Sequence, residues 1–557
     1  MAGNISHDGQ ERRLESGKTI FDYADELAVL VPTSCYRMGH CHECVVQIRS
    51  GMEALGPRTE AEAFLREEYR LACQAVIDDP NIDIDFAPVR RKPKILTQSL
   101  EKEMDLDPVV SRRGDEVLYD GTVVDRYRGH LLGLAIDLGT TTIAMDLVDL
   151  ETGLSMQVSS FENPQRFGGS DIMRRISYDG SEHRGELQRA VANAINHEIL
   201  AMGRQHDFAR QEIYEIVVAG NSTMRDLLFK LDVQSIGQRP YKSQVEEEYL
   251  SGDRSTTALT QNARRLGLRA NLRTQVYGLP LIASHVGADT AAALVAVDMI
   301  DSDSDEIRML VDVGTNTEVV VARSGRLMAA SCPAGPAFEG GLVKFGMPGY
   351  EGAIEAFHLD DDGRFSWETI GGIEPQGMCG SGLIDLLAEL RRSERVTPKG
   401  VFAEDRKLFE ITVVPEAGIT LSKEDISNLA QAKAANYCGQ YILMRAFGVD
   451  PDDVSKLYLA GGFANYVHVG NAIDIGFLAP VPEERIEKVG NAALMGAREI
   501  LLDRGRRAAL EEAVKSIEHI ELETTPDFFE VFVDGCQLKP MPRRFVPADS
   551  APAATPS

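Results

Sequence analysis

Four cysteines near the N-terminus have the spacing of thiolate ligands to a metal centre. Cys35, Cys41 and Cys44 form a C-x5-C-x2-C loop, and Cys73 follows after 28 intervening residues. Three thiolates from one loop and a fourth from a distant strand or helix suit a four-thiolate iron–sulfur site. Zinc is the alternative, although structural zinc sites usually combine two short cysteine pairs. The histidines that flank these ligands, His40 and His42, are expected to be exposed and solvated.

Two other segments place an aspartate beside a glycine and several hydroxyl residues. Residues 133–145 read GLAIDLGTTTIAM and residues 309–321 read MLVDVGTNTEVVV, so each is a strand, a turn and a second strand. Backbone N–H groups at such a tip bind anionic oxygens, and the nearby carboxylates, Asp137 and Asp312, suit a hard cation such as Mg²⁺. The residues expected to hold phosphate are Gly139, Thr140, Thr141 and Thr142 in the first tip and Gly314, Thr315, Asn316 and Thr317 in the second.

The elements that position these tips occur twice in the same order. Each hairpin is followed by a strand, a small-residue turn and a helix, at residues 216–228 and 457–467. Each copy then closes on a helix rich in small residues, at 286–297 and 489–500. Three matched elements indicate a duplicated α/β unit. We expect its two tips to face each other across a cleft and to bind one nucleotide.

Other residues are placed at the cleft by their local sequence. Gly380 and Ser381 lie at a helix N-terminus, whose free N–H groups suit phosphate or ribose, although a simple cap fits equally. The glycine- and proline-rich segment 331–355 lacks a regular period, and we expect it to line the cleft. It carries Glu339, a third candidate beside Asp137 and Asp312 for orienting an attacking water.

Composition limits the class of protein. The chain has 557 residues, 43% of them hydrophobic, and a net charge of −28, which argues against nucleic acid as a partner. No apolar run approaches the roughly 20 residues of a membrane span, and no signal peptide is recognised, so a cytoplasmic protein is expected. The expected units are residues 1–86, a connecting tether or subdomain at 87–130, two ATPase halves at 131–300 and 301–540, and a disordered tail at 541–557.

The motifs resemble two known families. The paired tips, together with Gly461 and Gly462 as an adenosine motif, are similar to the ATPase superfamily of acetate and sugar kinases, heat-shock chaperones and actin. The cysteine loop resembles that of [2Fe–2S] ferredoxins. The implied fold is a multi-domain α/β protein. A β-grasp [2Fe–2S] ferredoxin-like domain precedes a duplicated ribonuclease-H-like ATPase of the actin type.

The combination resembles the reductive activators of corrinoid proteins. The strings that carry the resemblance are NPQ-x2-GG, VAGN-x-TM, SCPAGPAFEGG, G-x-CGSGLID and LAGGFAN. The resemblance implies that ATP drives one electron from the [2Fe–2S] cluster onto a Co(II) corrinoid, restoring Co(I) for methyl transfer. It also implies a corrinoid protein partner in a methyltransferase system, an upstream electron donor and a homodimer. Ser331 becomes a candidate to face the corrinoid, and the short segment 87–130 departs from family members that carry an extra domain there.

Two alternatives use the same nucleotide motifs. A small-molecule kinase with a redox-sensing ferredoxin domain would phosphorylate an acid or a sugar without a corrinoid partner. A non-enzymatic, ATP-gated electron carrier would regulate its partner by binding alone.

Overall fold

The computed structural model describes most of the chain. The described residues are 3–33, 35–89, 106–300, 304–360, 363–403, 407–462 and 464–545. Part of the expected tether and most of the expected disordered tail therefore lie outside the described residues, at 90–105 and 546–557. The described parts form a multi-domain α/β protein, which confirms the predicted fold class. None of the helices in these parts combines the length and apolar character needed to cross a bilayer.

The N-terminal domain is a five-stranded sheet with one helix packed on it. The elements are β1 (Asn4–His7), β2 (Gln10–Arg13), α1 (Ile20–Glu26), β3 (Val45–Ser50), β4 (Tyr69–Leu71) and β5 (Ile84–Pro88). The strand order is β2-β1-β5-β3-β4. Helix α1 starts at a capping box between Thr19 and Asp22 and buries Ile20, Tyr23 and Ala24 in the domain core, as its spacing predicts.

Residues after the undescribed segment form a small antiparallel sheet. Its strands are β6 (Val110–Arg113), β7 (Glu116–Tyr119) and β8 (Thr122–Arg126). The sheet buries Val110 and Val117 in a core that it shares with the ATPase. An ion pair of 2.7 Å joins Asp107 to Arg504, at the other end of the chain. In its described part the connecting segment is therefore a packed subdomain.

The first ATPase half is built on a six-stranded sheet. Its elements are β9 (Leu132–Leu138), β10 (Thr142–Asp149), β11 (Ser155–Glu162), α2 (Ile172–Asp179), α3 (Glu186–His206), β12 (Ile213–Gly220), α4 (Ser222–Leu228), α5 (Gln244–Leu250), β13 (Leu259–Asn262), β14 (Gln275–Gly278) and α6 (Ala288–Ala296). The strand order is β11-β10-β9-β12-β14-β13. The antiparallel hairpin β9–β10 carries the first predicted phosphate loop at its tip, and β12 runs parallel to β9.

The second half repeats this plan and adds smaller sheets. Its elements are β15 (Ile307–Val313), β16 (Thr317–Arg323), β17 (Arg326–Cys332), β18 (Ala353–Leu359), β19 (Phe365–Thr369), β20 (Gly377–Met378), α7 (Gly380–Arg392), β21 (Glu410–Val414), β22 (Ile419–Ser422), α8 (Lys423–Phe447), β23 (Val454–Ala460), α9 (Val469–Asp474), β24 (Ile486–Gly490), α10 (Ala492–Leu502), α11 (Arg504–Ala513), β25 (Glu518–His519) and α12 (Phe528–Gly535). The main order, β24-β23-β15-β16-β17-β25, matches β14-β12-β9-β10-β11 of the first half.

The two closing helices, α6 and α10, join the halves. Helix α10 belongs to the second copy, yet Ala497 and Leu501 lie in the core beneath the first sheet. Helix α6 contributes Ala291 and Val295 to the same core and Leu294 to the core of the second sheet. The helices approach closely at Gly496, where an added Cβ would lie 1.8 Å from the backbone oxygen of Ala292. The sheets are thus connected through a helix pair that packs between them and contributes to both cores.

Candidate functional site

The two predicted phosphate loops line one cavity between the halves. The cavity has a volume of about 260 Å³. Most predicted cleft residues contribute to its wall. They are Asp137, Gly139, Thr140, Thr141, Thr142, Asp312, Gly314, Thr315, Asn316, Glu339, Gly380, Ser381, Gly461 and Gly462. The duplicated plan explains this arrangement, because each tip lies at the same end of its own sheet and the sheets face each other through α6 and α10.

Three carboxylates concentrate negative charge in the cleft. Burial raises the pKa of Asp137 to about 7, although Asn491 Nδ2 donates to Asp137 Oδ2 at 2.8 Å and favours the charged form. Burial also raises the pKa of Asp312 to about 7, and the charges of Asp289 and Asp137 add to the effect. A divalent cation would relieve this repulsion. The donor set therefore fits Mg²⁺ held partly through water, as Mg²⁺ prefers.

Glu339 lies where the two phosphate loops meet. Its Oε2 accepts hydrogen bonds from Thr141 Oγ1 at 2.9 Å and from Thr315 Oγ1 at 2.6 Å. The two threonine hydroxyls are 3.3 Å apart. Burial raises the pKa of Glu339, while both hydroxyls act to lower it. One anionic group thus already receives donors from both halves, which is the arrangement that a bridging phosphate needs.

The far wall of the cleft is shaped by glycine. Gly461 has a φ of 112°, and an added Cβ would lie 2.1 Å from Val313 O, so the turn after β23 requires glycine. This close approach brings the turn beside the second phosphate loop. On the same wall, Gly380 and Ser381 begin the 13-residue helix α7. Its first N–H groups lie at the cavity and suit an anionic or hydroxyl group of the nucleotide.

Two predicted residues lie away from this cavity wall. Thr317 is fully buried, and its Oγ1 has no hydrogen-bond partner among the described residues. Thr317 is the first residue of β16 and pairs with Cys332 of β17, and its side chain lies in the core. Ser331 lies in β17, where its Oγ donates to Glu318 Oε1 at 3.0 Å. The expectation that both side chains line the cleft is therefore not met.

Three cleft residues were missed by the sequence analysis. Glu318 and Asp289 line the cavity, and so does Asn491, which contacts Asp137. Asp289 is the second residue of α6, and Asn491 is the N-cap residue of α10. The available signal was the pair of closing helices, because both begin at the cleft. Glu318 gave no signal, since it reads as part of an ordinary strand.

The predicted cysteine ligands come together at the edge of the N-terminal domain. Cys44 Sγ and Cys73 Sγ are 3.4 Å apart, and Gln74 Nε2 donates to Cys73 Sγ at 3.4 Å. In the described chain, no three His, Cys, Asp or Glu side chains converge on one ion-sized point. A binuclear cluster shares its four thiolates between two irons, so it does not require such a point.

Hydrogen-bond donors from the backbone and from side chains stabilise the thiolate forms of two ligands. Burial acts to raise the pKa of Cys35, but N–H donors from Cys41, His40 and Met38 outweigh it and lower the pKa to about 7. The Cys44 thiol lowers the pKa of Cys73 to about 6, with help from Gln74 and the Gly39 N–H. Amide donors to sulfur are what an iron–sulfur cluster needs from its loop. The donor set therefore fits a [2Fe–2S] cluster.

The cysteine loop is docked on the first ATPase half. His42 Nδ1 lies 3.0 Å from Glu186 Oε2 of α3, and its ring stacks on Phe64 with the centroids 4.1 Å apart. The expectation that His42 is solvated is therefore wrong, because its partner lies 144 residues away in the sequence. Nearby, Asn193 Nδ2 donates to Cys41 O at 3.4 Å. The electron-transfer module thus has a defined position on the nucleotide-binding module.

Comparisons with known families agree with this architecture. Residues 5–78 match the 2Fe–2S iron–sulfur cluster binding domain. Residues 132–302 match the RACo middle region. Residues 306–548 match the C-terminal domain of RACo, the ASKHA domain. The first match confirms the [2Fe–2S] assignment over zinc, and the third confirms the ATP-binding domain.

Similar proteins extend the comparison to nearly the whole chain. Corrinoid activation enzyme RamQ of Eubacterium limosum is 29% identical over 72% of this chain and 70% of its own. The [Co(II) methylated amine-specific corrinoid protein] reductase of Methanosarcina barkeri is 23% identical over 73% of this chain and 77% of its own. A solved reductive activator for corrinoid, iron–sulfur protein superposes with a TM-score of 0.70 at 26% identity, covering 96% of this chain and 98% of its own. The chain therefore belongs to the family of reductive activators of corrinoid proteins.

Proposed function

We propose that this protein uses ATP to drive one-electron reduction of a Co(II) corrinoid on a partner protein, which yields Co(I) for methyl transfer. The observation that carries the proposal is the docking of the cysteine loop on α3 of an ATPase half whose first phosphate loop lines the nucleotide cleft. In a single chain, the electron-transfer site is thus in contact with an ATPase half that is proposed to move when the cleft closes on ATP. The named relatives act on corrinoid proteins.

ATP is proposed to bridge the two halves. The first loop, residues 139–142, and the second loop, residues 314–316, would donate to the phosphates, with Mg²⁺ held through Asp137 and Asp312. Gly461, Gly462, Gly380 and Ser381 would contact the adenosine side. Support comes from the cavity that these residues share and from the hydrogen bonds that Glu339 already makes to both loops.

Glu339 is proposed to orient the attacking water. It must leave the two threonine hydroxyls when phosphate takes them, and its position between the loops keeps it beside the terminal phosphate. Its raised pKa, caused by burial, favours a group that accepts a proton. Asp289 is proposed to support the metal side, because its charge already acts on Asp312.

Cys35, Cys41, Cys44 and Cys73 are proposed to hold the [2Fe–2S] cluster. When bound, the cluster supplies the single electron that converts Co(II) to Co(I), and an upstream donor replaces that electron. Plant-type [2Fe–2S] centres lie near about −400 mV. Electron transfer to a corrinoid couple of lower reduction potential is unfavourable, because each deficit of about 59 mV lowers the equilibrium constant of a one-electron transfer ten-fold. Closure of the cleft on ATP is proposed to supply the free energy that this transfer requires.

Several finer assignments accompany the proposal. The corrinoid protein would belong to a methyltransferase system, the activator would be a homodimer, and the protein would act in the cytoplasm. Ser331 is proposed to position Glu318 at the cleft rather than to face the corrinoid, because its hydroxyl already donates to that carboxylate.

The test is electron paramagnetic resonance of the anaerobic, cluster-loaded protein mixed with a Co(II) corrinoid protein, reductant and Mg–ATP. The expected result is loss of the Co(II) signal that requires both ATP and the activator. A good cluster signal with no effect on Co(II), together with ATP-dependent phosphorylation of an acid or a sugar, would instead support the kinase alternative. Binding of the partner without ATP turnover would support the non-enzymatic carrier.

A further inference from the structure

One buried carboxylate connects the two ATPase halves outside the phosphate loops. Glu162 is the last residue of β11 and is only 3% exposed. Its Oε1 accepts hydrogen bonds from the Tyr350 hydroxyl of the second half and from Arg166 Nη1, the latter at 2.7 Å. Its Oε2 has no hydrogen-bond partner among the described residues. Glu162 therefore depends on both donors, and one of them is contributed by the opposite half.

The same segment holds the first phosphate loop. Asn163 N donates to Thr141 O at 2.8 Å, and Asn163 Nδ2 donates to Gly139 O at 2.8 Å. Glu162 itself lies opposite Thr142 in the β10–β11 pairing. A phosphate that draws this loop toward the second half would therefore also displace the backbone at residues 162 and 163.

The other side of the segment contacts the ferredoxin domain. The ring of Phe167 packs edge-on against Phe64, with the centroids 5.5 Å apart. Arg166 lies beside Tyr69, where burial raises the pKa of the phenol and the cationic neighbour acts against that rise. Tyr69 begins β4, and β4 leads within four residues to the ligand Cys73. Residues 162–168 thus touch the phosphate loop, the opposite half and the ferredoxin domain.

We propose that residues 162–168 form a nucleotide-controlled clasp that holds the ferredoxin domain on the ATPase while the cleft is closed and releases it when the cleft opens. Tyr350 and Arg166 are its positioning residues. The proposal rests on the proposed function only in treating the cleft as an ATP site. It adds a defined route by which the nucleotide state decides whether the cysteine loop is docked or free to approach a partner.

The physical basis is competition for the donors of one arginine. While Tyr350 donates to Glu162, Arg166 needs only part of its guanidinium for that carboxylate, and the remainder can face Tyr69. When opening removes the Tyr350 hydroxyl, Glu162 is left buried with a single donor. A buried carboxylate without hydrogen-bond partners costs free energy. Both ends of the Arg166 guanidinium are therefore expected to donate to Glu162. The ferredoxin domain then loses its cationic neighbour.

Hydrogen–deuterium exchange of the full-length, cluster-loaded protein tests the clasp. Exchange is compared with Mg–ADP and with the non-hydrolysable analogue Mg–AMP-PNP. In the unsubstituted protein, AMP-PNP should slow exchange at residues 59–71 of the ferredoxin domain by about ten-fold relative to ADP. In Tyr350→Phe, which keeps the ring and removes only the hydroxyl, this slowing should disappear. Slowing at the first phosphate loop, residues 133–145, should persist.

Tyr277→Phe is the matched control. The Tyr277 hydroxyl donates to Glu511 at 2.7 Å, so the change removes the same kind of bond elsewhere in the ATPase, and slowing at residues 59–71 should be retained. Arg166→Lys, which keeps a cation but loses the fork, should behave like Tyr350→Phe. Equal slowing at residues 59–71 in Tyr350→Phe and in the unsubstituted protein would overturn the clasp alone. The absence of slowing at the phosphate loop of the unsubstituted protein would remove the ATP site, and with it the proposed function.

Discussion

Asp312 shows how a strand positions a single carboxylate at the cleft. It is the next-to-last residue of β15, so the strand fixes its position and the turn that follows exposes its carboxylate to the cavity. The neighbouring charges of Asp289 and Asp137 raise its pKa together with burial, and burial is the largest cause. A cation is the natural partner of such a group, and its removal should affect nucleotide chemistry alone.

Replacing Asp312 with Ala should lower ATP turnover by about 100-fold or more, because several kcal/mol of metal and charge stabilisation are lost. The visible spectrum of the iron–sulfur cluster should remain unchanged, since the cysteine ligands belong to another domain. Steady-state ATP hydrolysis and absorption spectra measure the two effects. Asp452→Ala, at an exposed aspartate outside the cleft, is the control and should change neither. Loss of the cluster in Asp312→Ala would contradict the assignment of ATP turnover and cluster binding to separate domains.

Lys433 gives a second prediction, through the pH dependence of stability. It is fully buried in α8, where its Nζ donates to Ile475 O and Gln537 O, and burial lowers its pKa from 10.5 to about 7. Between pH 7 and 10, the unfolded chain binds a proton that the folded protein has released. Stability should therefore rise with pH in this window, by up to about 1.4 kcal/mol per pH unit, and Lys433→Met should lack the rise.

The measurement is the difference in thermal midpoint between Lys433→Met and the unsubstituted protein at several values of pH. The difference should grow from pH 7 to pH 9. Lys515→Met, at an exposed lysine paired with Glu512, should show no such growth. A constant difference for Lys433→Met would mean that the buried amine keeps its proton.

At the residue scale, the sequence predicted most of the side chains that the structure brings together in one cavity, but it did not predict all of their neighbours. Asp137 and Asp312 were found because an aspartate, a glycine and hydroxyl residues stand together at a strand end. Glu318 was not found, because its partner Ser331 lies on the next strand and their contact depends on register. Thr317 was misjudged for the same reason, since the pleat decides which way a strand residue points.

At the scale of elements, the crossing of α6 and α10 carries the connection between the sheets. Gly496→Ala places a methyl group against the backbone oxygen of Ala292, which cannot rotate away as a side chain can. We expect a loss of about 1–3 kcal/mol in stability from overpacking, together with weaker nucleotide binding because the halves are pushed apart. Thermal unfolding and nucleotide titration measure the two effects.

Gly505→Ala is the matched control for this prediction. Gly505 is an exposed glycine near the start of α11, where a Cβ would meet only the Asp503 carboxylate, at 3.0 Å. The change should be neutral or slightly stabilising, because alanine favours a helix more than glycine does. A neutral result for Gly496→Ala would show that the helices separate without cost.

The duplicated elements were predictable, whereas the packing of both closing helices between the two sheets was not. The hydrophobic pattern of residues 489–500 identifies a helix with buried faces, but it does not say which sheet receives them. For a related reason, the sequence does not decide whether the segment that contains β6–β8 is a tether or a packed subdomain. Its anchors, such as the pair of Asp107 with Arg504, join residues that are remote in sequence.

At the scale of the whole molecule, a bound nucleotide should draw the halves together. Mg–AMP-PNP at 100 times its dissociation constant should stabilise the protein by about 2.7 kcal/mol, and its radius of gyration should fall as the cleft closes. Thermal unfolding and small-angle scattering measure these effects. Asp312→Ala should show a much smaller shift at the same concentration. An unchanged radius of gyration with a full thermal shift would mean that the nucleotide binds without closure.

The position of the ferredoxin domain is another part of the architecture that the sequence did not predict. The family resemblance implied both modules, but the pairing of His42 with Glu186 and the packing of Phe64 on Phe167 join distant parts of the chain. Each of these residues has an ordinary local explanation, so nothing in its neighbourhood marks it as an interdomain contact. Docking surfaces of this kind become visible only in three dimensions.

The packing of α10 on the first sheet also constrains how the protein is made. During synthesis the first sheet leaves the ribosome long before α10, which supplies Ala497 and Leu501 to the core beneath that sheet. The nascent first half must therefore wait for nearly 200 residues with part of its apolar surface exposed, a state that invites aggregation or chaperone binding. A fragment that ends after residue 300 would keep this defect permanently, although its own duplicated unit is complete in sequence.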